Sequence, residues 1–470
     1  MGFTRFGRGM KMTQKNWGLL FTAAPLVLAL SAPALGADMA VKAPLLKAPM
    51  AAPYSWTGWY IGANAGYGLG QGLGTYSFGP GTAFETFNGI PAGGFGGGQL
   101  GFNYQISSFV LGAETDIQGA GISDTRTCLF SCIPGSSALI DQKLNWFGTT
   151  RARLGLATGP VLTYVTAGAA YGEVETGVTT TVGVPTASAI NTTTKTGWTW
   201  GTGVEAALGG NWTAKAEYLY IDLGSTSASS VVPGVGISTF NAKNQEQIFR
   251  GGINYRFGPA QPVGPVLNWA GLFVGGTFGY GIGRNDSTFV VPAANAEAFF
   301  LSPRGFDGGG IIGYNWQFGS WVAGLDADFQ GSTGSGYLTG VNAGAAVTTI
   351  DQKLSWFSTV RGRLGYAIGP ALFYATGGGA FGEVKEDITQ AAAASSFSHS
   401  KSGFVVGGGI ENKLDLFGLL GPNWTTRTEY LYLDLGKVSD TLPGGGAQVL
   451  TSSLHEHVWR TVVSYKFGAP

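Results

Sequence analysis

The chain is poor in charge: of its 470 residues, 11% are Asp, Glu, Lys or Arg, against roughly a quarter in ordinary soluble domains. A disordered chain would carry more charge and fewer aromatics than the 13% present here, which excludes disorder over the whole length. The 27 basic residues balance the 27 acidic ones, so the basic surface that a nucleic-acid partner requires is missing. Two cysteines are too few for a disulfide-dense scaffold. Beyond residue 30 no long, uniformly apolar run occurs, which excludes membrane-spanning helices from the rest of the chain. What is plentiful is glycine (80 residues) without the strict three-residue period of collagen. A glycine-rich, aromatic-rich chain with little charge points to a β-rich protein whose outer surface does not all meet water.

The first 36 residues have the build of a secretory signal peptide. Arg5, Arg8, Lys11 and Lys15 precede the apolar stretch Leu19 to Leu30, and small residues around Gly36 and Ala37 offer a cleavage site. Removal of 1–36 leaves 23 basic against 27 acidic residues, so the mature chain is expected to be mildly acidic. Residues 37–53 are rich in Pro and Ala and read as a flexible periplasmic linker.

The remainder repeats itself at an offset near 210 residues. Asp141-Gln-Lys-Leu-Asn-Trp146-Phe recurs as Asp351-Gln-Lys-Leu-Ser-Trp356-Phe. Arg151-Ala-Arg153-Leu-Gly recurs as Arg361-Gly-Arg363-Leu-Gly. Glu217-Tyr-Leu-Tyr220 recurs as Glu429-Tyr-Leu-Tyr432, and Trp56-Thr-Gly58 as Trp269-Ala-Gly271. The expected units are 54–258 and 268–470, joined by a Pro-rich linker at 259–267. Within the first unit, period-two alternation predicts eight strands near 57–68, 94–106, 108–118, 139–157, 160–176, 194–209, 211–224 and 244–257. Tight turns such as Ala157-Thr-Gly-Pro160 alternate with polar stretches read as longer loops. Short turns at one end and long loops at the other mark an outer-membrane barrel with its short turns in the periplasm. A backbone facing lipid must satisfy every hydrogen bond internally, so the sheet must close. The expected fold is all-β: two tandem eight-stranded antiparallel transmembrane barrels, with one sixteen-stranded barrel as the alternative.

Certain motifs carry a family resemblance. The run Ala37-Asp-Met-Ala-Val-Lys-Ala-Pro44, the opening Trp56-Thr-Gly-Trp-Tyr60-Ile-Gly-Ala-Asn-Ala-Gly66-Tyr-Gly and the Ala216-Glu-Tyr-Leu-Tyr220 strand resemble the porin-family surface antigens of alpha-proteobacteria. These are small outer-membrane barrels similar in architecture to the OmpA membrane domain. The terminal-strand aromatics Tyr255, Phe257, Tyr465 and Phe467 fit the same pattern, although Gly468-Ala-Pro470 follows the last of them. The resemblance implies residence in the outer membrane of a Gram-negative cell, contact with outer-membrane lipid and lipopolysaccharide, and delivery by the barrel-insertion machinery.

Strand parity turns one set of charges inward in each unit. In the first these are Glu114, Asp116, Glu205 and Glu217 with Arg151, Arg153, Lys215 and Arg250. In the second they are Asp326, Asp328, Glu411 and Glu429 with Arg361, Arg363, Arg427 and Arg460. An eight-stranded barrel is just wide enough for side chains to fill. Unpaired charge in it would be very costly, so a neutral, cross-linked plug is expected rather than an open ion path. Inward Gly62, Gly66 and Gly68 are expected to leave room for the long Arg and Glu side chains.

Other chemistry is thinly represented. Cys128 and Cys132 share one loop, and an oxidising compartment makes a local disulfide the expectation. His455 and His457 fall on one face and read as a surface pair rather than metal ligands, and His399 has no nearby Ser or Asp motif. No cofactor, metal or enzymatic site is expected. The function expected is a structural and surface-exposed role in the envelope with at most a narrow pore. The alternatives are a sixteen-stranded porin for small hydrophilic solutes and an adhesin or ligand receptor acting through extracellular loops.

Overall fold

The computed structural model describes residues 54–468, apart from 79–82, 128–135, 183–185, 235, 291–296, 342–346, 391–392, 415–418 and 443–447. The expected signal peptide, the expected 37–53 linker, and Cys128 and Cys132 with their expected disulfide therefore lie outside the described residues. The described residues form one compact unit.

Each repeat closes its own ring of eight antiparallel strands. The first is built from β1 (Gly58–Gly70), β4 (Ala92–Ile106), β5 (Phe109–Thr127), β6 (Ser136–Thr158), β7 (Val161–Val182), β8 (Thr186–Gly209), β9 (Trp212–Val232) and β10 (Gly236–Arg256). Neighbours pair in that order, and β1 pairs with β10 to complete the ring. The second is built from β11 (Gly271–Gly283), β14 (Arg304–Phe318), β15 (Trp321–Ser332), β17 (Val347–Ile368), β18 (Ala371–Gln390), β19 (Ala393–Lys413), β20 (Trp424–Thr441) and β21 (Val449–Lys466), closed by β11 on β21. A sixteen-strand ring would carry β10 on into β11; here each of these strands closes its own repeat. Five short strands complete the sheet: β2 (Gly72–Phe78), β3 (Ala83–Gly89), β12 (Asn285–Val290), β13 (Glu297–Leu301) and β16 (Ser335–Val341). Strand β16 pairs with β3 and so bridges the two repeats.

The tight turns gather at one end. Gly159 adopts φ +63°, which an L side chain tolerates poorly, and turns β6 into β7. The polar stretches at the other end are mostly not loops. Strand β7 runs on to Val182 and β8 begins at Thr186, with three residues between them in sequence. Strand β8 has 24 residues, more than twice the roughly ten that cross a hydrocarbon layer. The strands therefore project well beyond the membrane, and the expected strand boundaries fall short at the distal end.

The reason lies in a change of face within single strands. Between Leu144 and Trp146 the register of β6 on β7 shifts by a bulge. Below it Phe147, Thr149, Arg151 and Arg153 point inward, while Ala152 and Leu154 are exposed. Above it Leu144, Gln142, Ile140 and Ala138 point inward. One extra residue moves every later side chain to the opposite face. Strand β17 does the same between Leu354 and Trp356. In the membrane, then, the wall is charged inside and apolar outside; beyond it, the wall is apolar inside and polar outside. The distal interior joins both repeats, because one cluster links Tyr76, Ile140, Val178 and Phe240 with Phe289, Leu338, Ile350 and Ile388.

Candidate functional site

The lumen of the first barrel is filled at membrane height by the charges that parity placed there. Glu114 and Asp116 come from β5, Arg151 and Arg153 from β6, Glu205 from β8, Lys215 and Glu217 from β9, and Arg250 from β10. All eight are at most 4% exposed. Arg151 sits at the centre: Nη2 donates to Glu114 Oε1 at 2.5 Å and to Asp116 Oδ2 at 2.8 Å, and Nη1 to Glu217 Oε1 at 3.0 Å. Arg250 joins Asp116 at 2.9 Å and Glu217 at 2.5 Å. Lys215 Nζ donates to both Glu114 oxygens at 2.8 and 2.9 Å. Arg153 Nη2 reaches Glu205 at 2.8 Å. Removing a charge from water costs several kcal/mol unless partners surround it, and each of these charges has at least one within 3 Å.

Neutral side chains complete the network, and these the sequence reading missed. Tyr60 Oη donates to Glu114 at 2.8 Å and accepts from Arg153 Nη1 at 2.6 Å. Tyr164 donates to Glu217 at 2.9 Å, and Thr213 to Glu205 at 2.6 Å. Tyr60 shares strand parity with Gly62, so extending the inward face by two residues would have found it. The room at the inward glycines is not taken by Arg or Glu side chains as expected. A Cβ on Gly62 would meet Asn254 Oδ1 at 2.1 Å and Gln99 Nε2 at 2.8 Å; one on Gly66 would meet the Phe95 ring at 2.7 Å; one on Gly68 would meet Ile122 at 2.4 Å.

The second lumen brings together the eight corresponding charges. Arg361 contacts Glu429 at 3.0 Å, Asp326 at 2.9 Å and Asp328 at 3.2 Å. Arg460 contacts Asp328 at 2.8 Å and Glu429 at 2.6 Å, and Arg363 contacts Glu411 at 2.7 Å. Arg427 reaches Asp326 at 3.4 Å.

Both lumens are also closed from below. The segment before β1 turns Trp56 under the first barrel, where it is fully buried and its Nε1 donates to Gly159 O at 3.0 Å. Arg256 Nη1 donates to Tyr54 Oη at 2.7 Å beside it. Trp269 occupies the corresponding place in the second barrel, packed on Val322, Leu372 and Tyr374. The two tryptophans were legible only as repeat markers. Above the charges of the first barrel, Phe95, Ile122, Phe147, Leu219 and Ile248 form an apolar layer.

The remaining candidates lie elsewhere. Tyr255, Phe257 and Phe467 are exposed on the outer face, and Tyr465 is half-buried there. Tyr255 packs edge-on against Trp212 as Tyr465 does against Trp424. His457 is buried beside Tyr430, whose hydroxyl lies 2.7 Å from Nδ1, and His455 faces Asp434 at 3.6 Å. His399 lies 2.9 Å from Asp440, a partner 41 residues away that local sequence could not reveal. Among the described residues no group of three or more His, Cys, Asp or Glu could hold a metal ion.

Comparison with known proteins adds three findings. A family model described as outer membrane protein beta-barrel domain matches the chain twice, over residues 39–257 and 266–467. The 31 kDa outer-membrane immunogenic protein of Brucella melitensis biotype 1 is 42% identical over 236 residues, which are 48% of this chain and 93% of that protein. The 22 kDa outer membrane protein of Rhizobium leguminosarum bv. viciae is 34% identical over 174 residues, covering 37% of this chain and 67% of its own. Among solved structures, Neisserial surface protein A aligns at 15% identity over 43% of this chain and 98% of its own, with a TM-score of 0.20.

Proposed function

The chain belongs to the outer membrane protein beta-barrel domain family, and from that membership and its filled lumens we propose a non-enzymatic, structural and surface-displayed role in the bacterial envelope, with at most a narrow pore. It is an outer-membrane β-barrel protein. The observation that carries the proposal is the lumen itself: eight charges per barrel, each at most 6% exposed, tied into ion pairs above a buried tryptophan. A diffusion channel keeps water along its axis, whereas the first barrel carries buried side chains at three heights: Trp56, the charges and the Phe95–Phe147 layer. The distal hairpins give the protein a tall, polar surface outside the membrane. Its proposed partners are the lipid and lipopolysaccharide around the apolar belt and the insertion machinery that reads the terminal-strand aromatics.

Planar-bilayer recording on the reconstituted full chain tests this reading. The expected result is no stable conductance in the nanosiemens range. A steady conductance of that size would overturn the plugged barrels and favour the sixteen-stranded porin instead.

A further inference from the structure

The seam between the barrels is lined by outward-facing aromatics of both. Tyr218 and Phe249 of the first barrel pack on Trp459 of the second, at ring separations of 6.3 and 6.4 Å. Beside this contact runs a groove of about 490 Å³ that neither barrel fills. Trp198, Trp200 and Tyr218 form one wall, and Phe278, Phe306 and Trp459 the other. Trp198, Trp200, Phe278 and Phe306 are 51%, 47%, 64% and 57% exposed, on the face that meets hydrocarbon. These walls are mostly aromatic and offer water few polar partners, so the groove suits an apolar chain.

The distal end of the groove is polar. Strand β14 descends from the outer side, and Arg304 lies two residues above Phe306 on the same outward face. With the carbonyl of Gln71 turned toward it, Arg304 donates from Nε and Nη1 at 2.9 and 3.2 Å. Gln71 is neutral, and among the described residues no carboxylate lies within ion-pair distance of Arg304. On the facing wall, Asp222 is occupied by Gln245 Nε2 and the Gly224 amide, each at 2.8 Å. The hydroxyl-bearing rings of Tyr220 and Tyr280 also line the groove, Tyr280 opposite Phe306. An uncompensated guanidinium at the headgroup level above an aromatic slot matches a phosphate attached to an acyl chain.

We propose that this groove is a specific site for lipopolysaccharide of the outer leaflet, with one acyl chain between the barrels and a headgroup phosphate on Arg304. The site exists only because the two barrels are packed side by side.

Native mass spectrometry of the full chain in mild detergent, titrated with purified lipopolysaccharide, tests the assignment. One retained lipopolysaccharide per chain is expected, and Arg304→Glu should lower its occupancy about tenfold at fixed lipid. Lipopolysaccharide stripped of its phosphates should bind the wild type equally weakly, and phosphatidylglycerol should not displace the intact lipid. The double variant Trp200→Ala/Phe306→Ala removes the slot and keeps the charge, and it too should release the lipid. Heat-modifiable gel mobility verifies folding, and Arg304→Gln replaces Arg304→Glu if the latter does not fold. Unchanged retention in the arginine variant, unchanged retention in the double variant, or displacement by phosphatidylglycerol would each overturn the proposal.

Discussion

Where the first barrel sets Glu114 against Lys215, the second sets Asp326 against Arg427. The acid has lost a methylene and the base has gained reach, so the pair still meets, but less closely. Lys215 touches both Glu114 oxygens within 3 Å, while Arg427 approaches Asp326 only at 3.4 Å and leaves its Nε and Nη2 without hydrogen-bond partners. Tyr60, which bridges Glu114 and Arg153, is replaced in the second barrel by Phe273, over whose ring Arg363 and Arg427 lie at 5.2 and 5.3 Å. One layer higher, Phe95 packs on Phe147 in the first barrel; the matching position on the strand next to β11 is Asp307. The four-and-four set of ion-paired charges is thus shared by the two lumens, whereas the groups around it are not: Asp307 is a buried acid with no counterpart in the first. Pairing of these charges is the requirement that burial imposes, and more than one local geometry satisfies it.

The comparison is broken most forcefully at the acid both barrels keep alike. Glu217→Ala and Glu429→Ala each leave two guanidinium groups buried without their shared carboxylate. Each is expected to destabilise its barrel by about 3–5 kcal/mol, read as a lower urea midpoint for loss of heat-modifiable mobility. Equal losses would show that the common part of the network does equal duty in both. A sharper contrast is expected one residue pair away. Glu114→Ala abandons Arg151, Lys215 and Tyr60, whereas Asp326→Ala abandons Arg361 and a distant Arg427. The first should cost about 1 kcal/mol more than the second; the reverse order would mean that the longer Arg427 contact is the stronger.

The smallest effect lies outside the membrane and depends on pH. In the distal half of the first barrel Thr176 and Thr226 share a hydrogen bond of 2.6 Å. At the position of Thr176 the second barrel has Glu386, bonded by Gln352 at 2.7 Å and close to Asp440. Burial, reinforced by Asp440, pushes the Glu386 carboxyl up to about 7. An acid whose folded value is raised stabilises the fold through its protonated form. That contribution is complete below the ordinary glutamate range near pH 4.3 and is lost as pH rises to about 7. Glu386→Thr should flatten this part of the stability profile, as measured by urea midpoints across pH 4 to 8. A slope that persists in the variant would assign it to another group.

Much of this was legible beforehand for a physical reason. Period-two alternation with charge on one face and aromatics on the other identifies a strand that crosses lipid, so the sixteen ion-paired charges could be named from parity, whereas the buried acids Glu246, Asp307 and Glu456 on the same faces were not. The distal strands were not legible because the bulges at Leu144/Trp146 and Leu354/Trp356 invert the pattern. Beyond them Thr and Ser face water, and a polar run in an apolar chain reads as a loop. Tyr60, Tyr164 and Tyr374 escaped because an inward tyrosine in a lumen looks, by composition, like one more aromatic of the belt. The seam was hidden for the same reason. Phe249 and Trp459 carry lipid-facing parity, and only the packed pair shows that each has the other barrel for its solvent.

The apolar cluster above the membrane has a consequence for the order in which the molecule can be made. Ile140 and Val178 belong to the same core as Leu338 and Ile388, roughly two hundred residues later in the chain. A nascent first barrel can thread its charged lumen and close its ring by itself, yet its outer end has no finished interior until the second barrel arrives. Assembly of the two is therefore a single event at the top and two events at the bottom. The linker at 259–267 keeps the two contributors to that shared core on one chain.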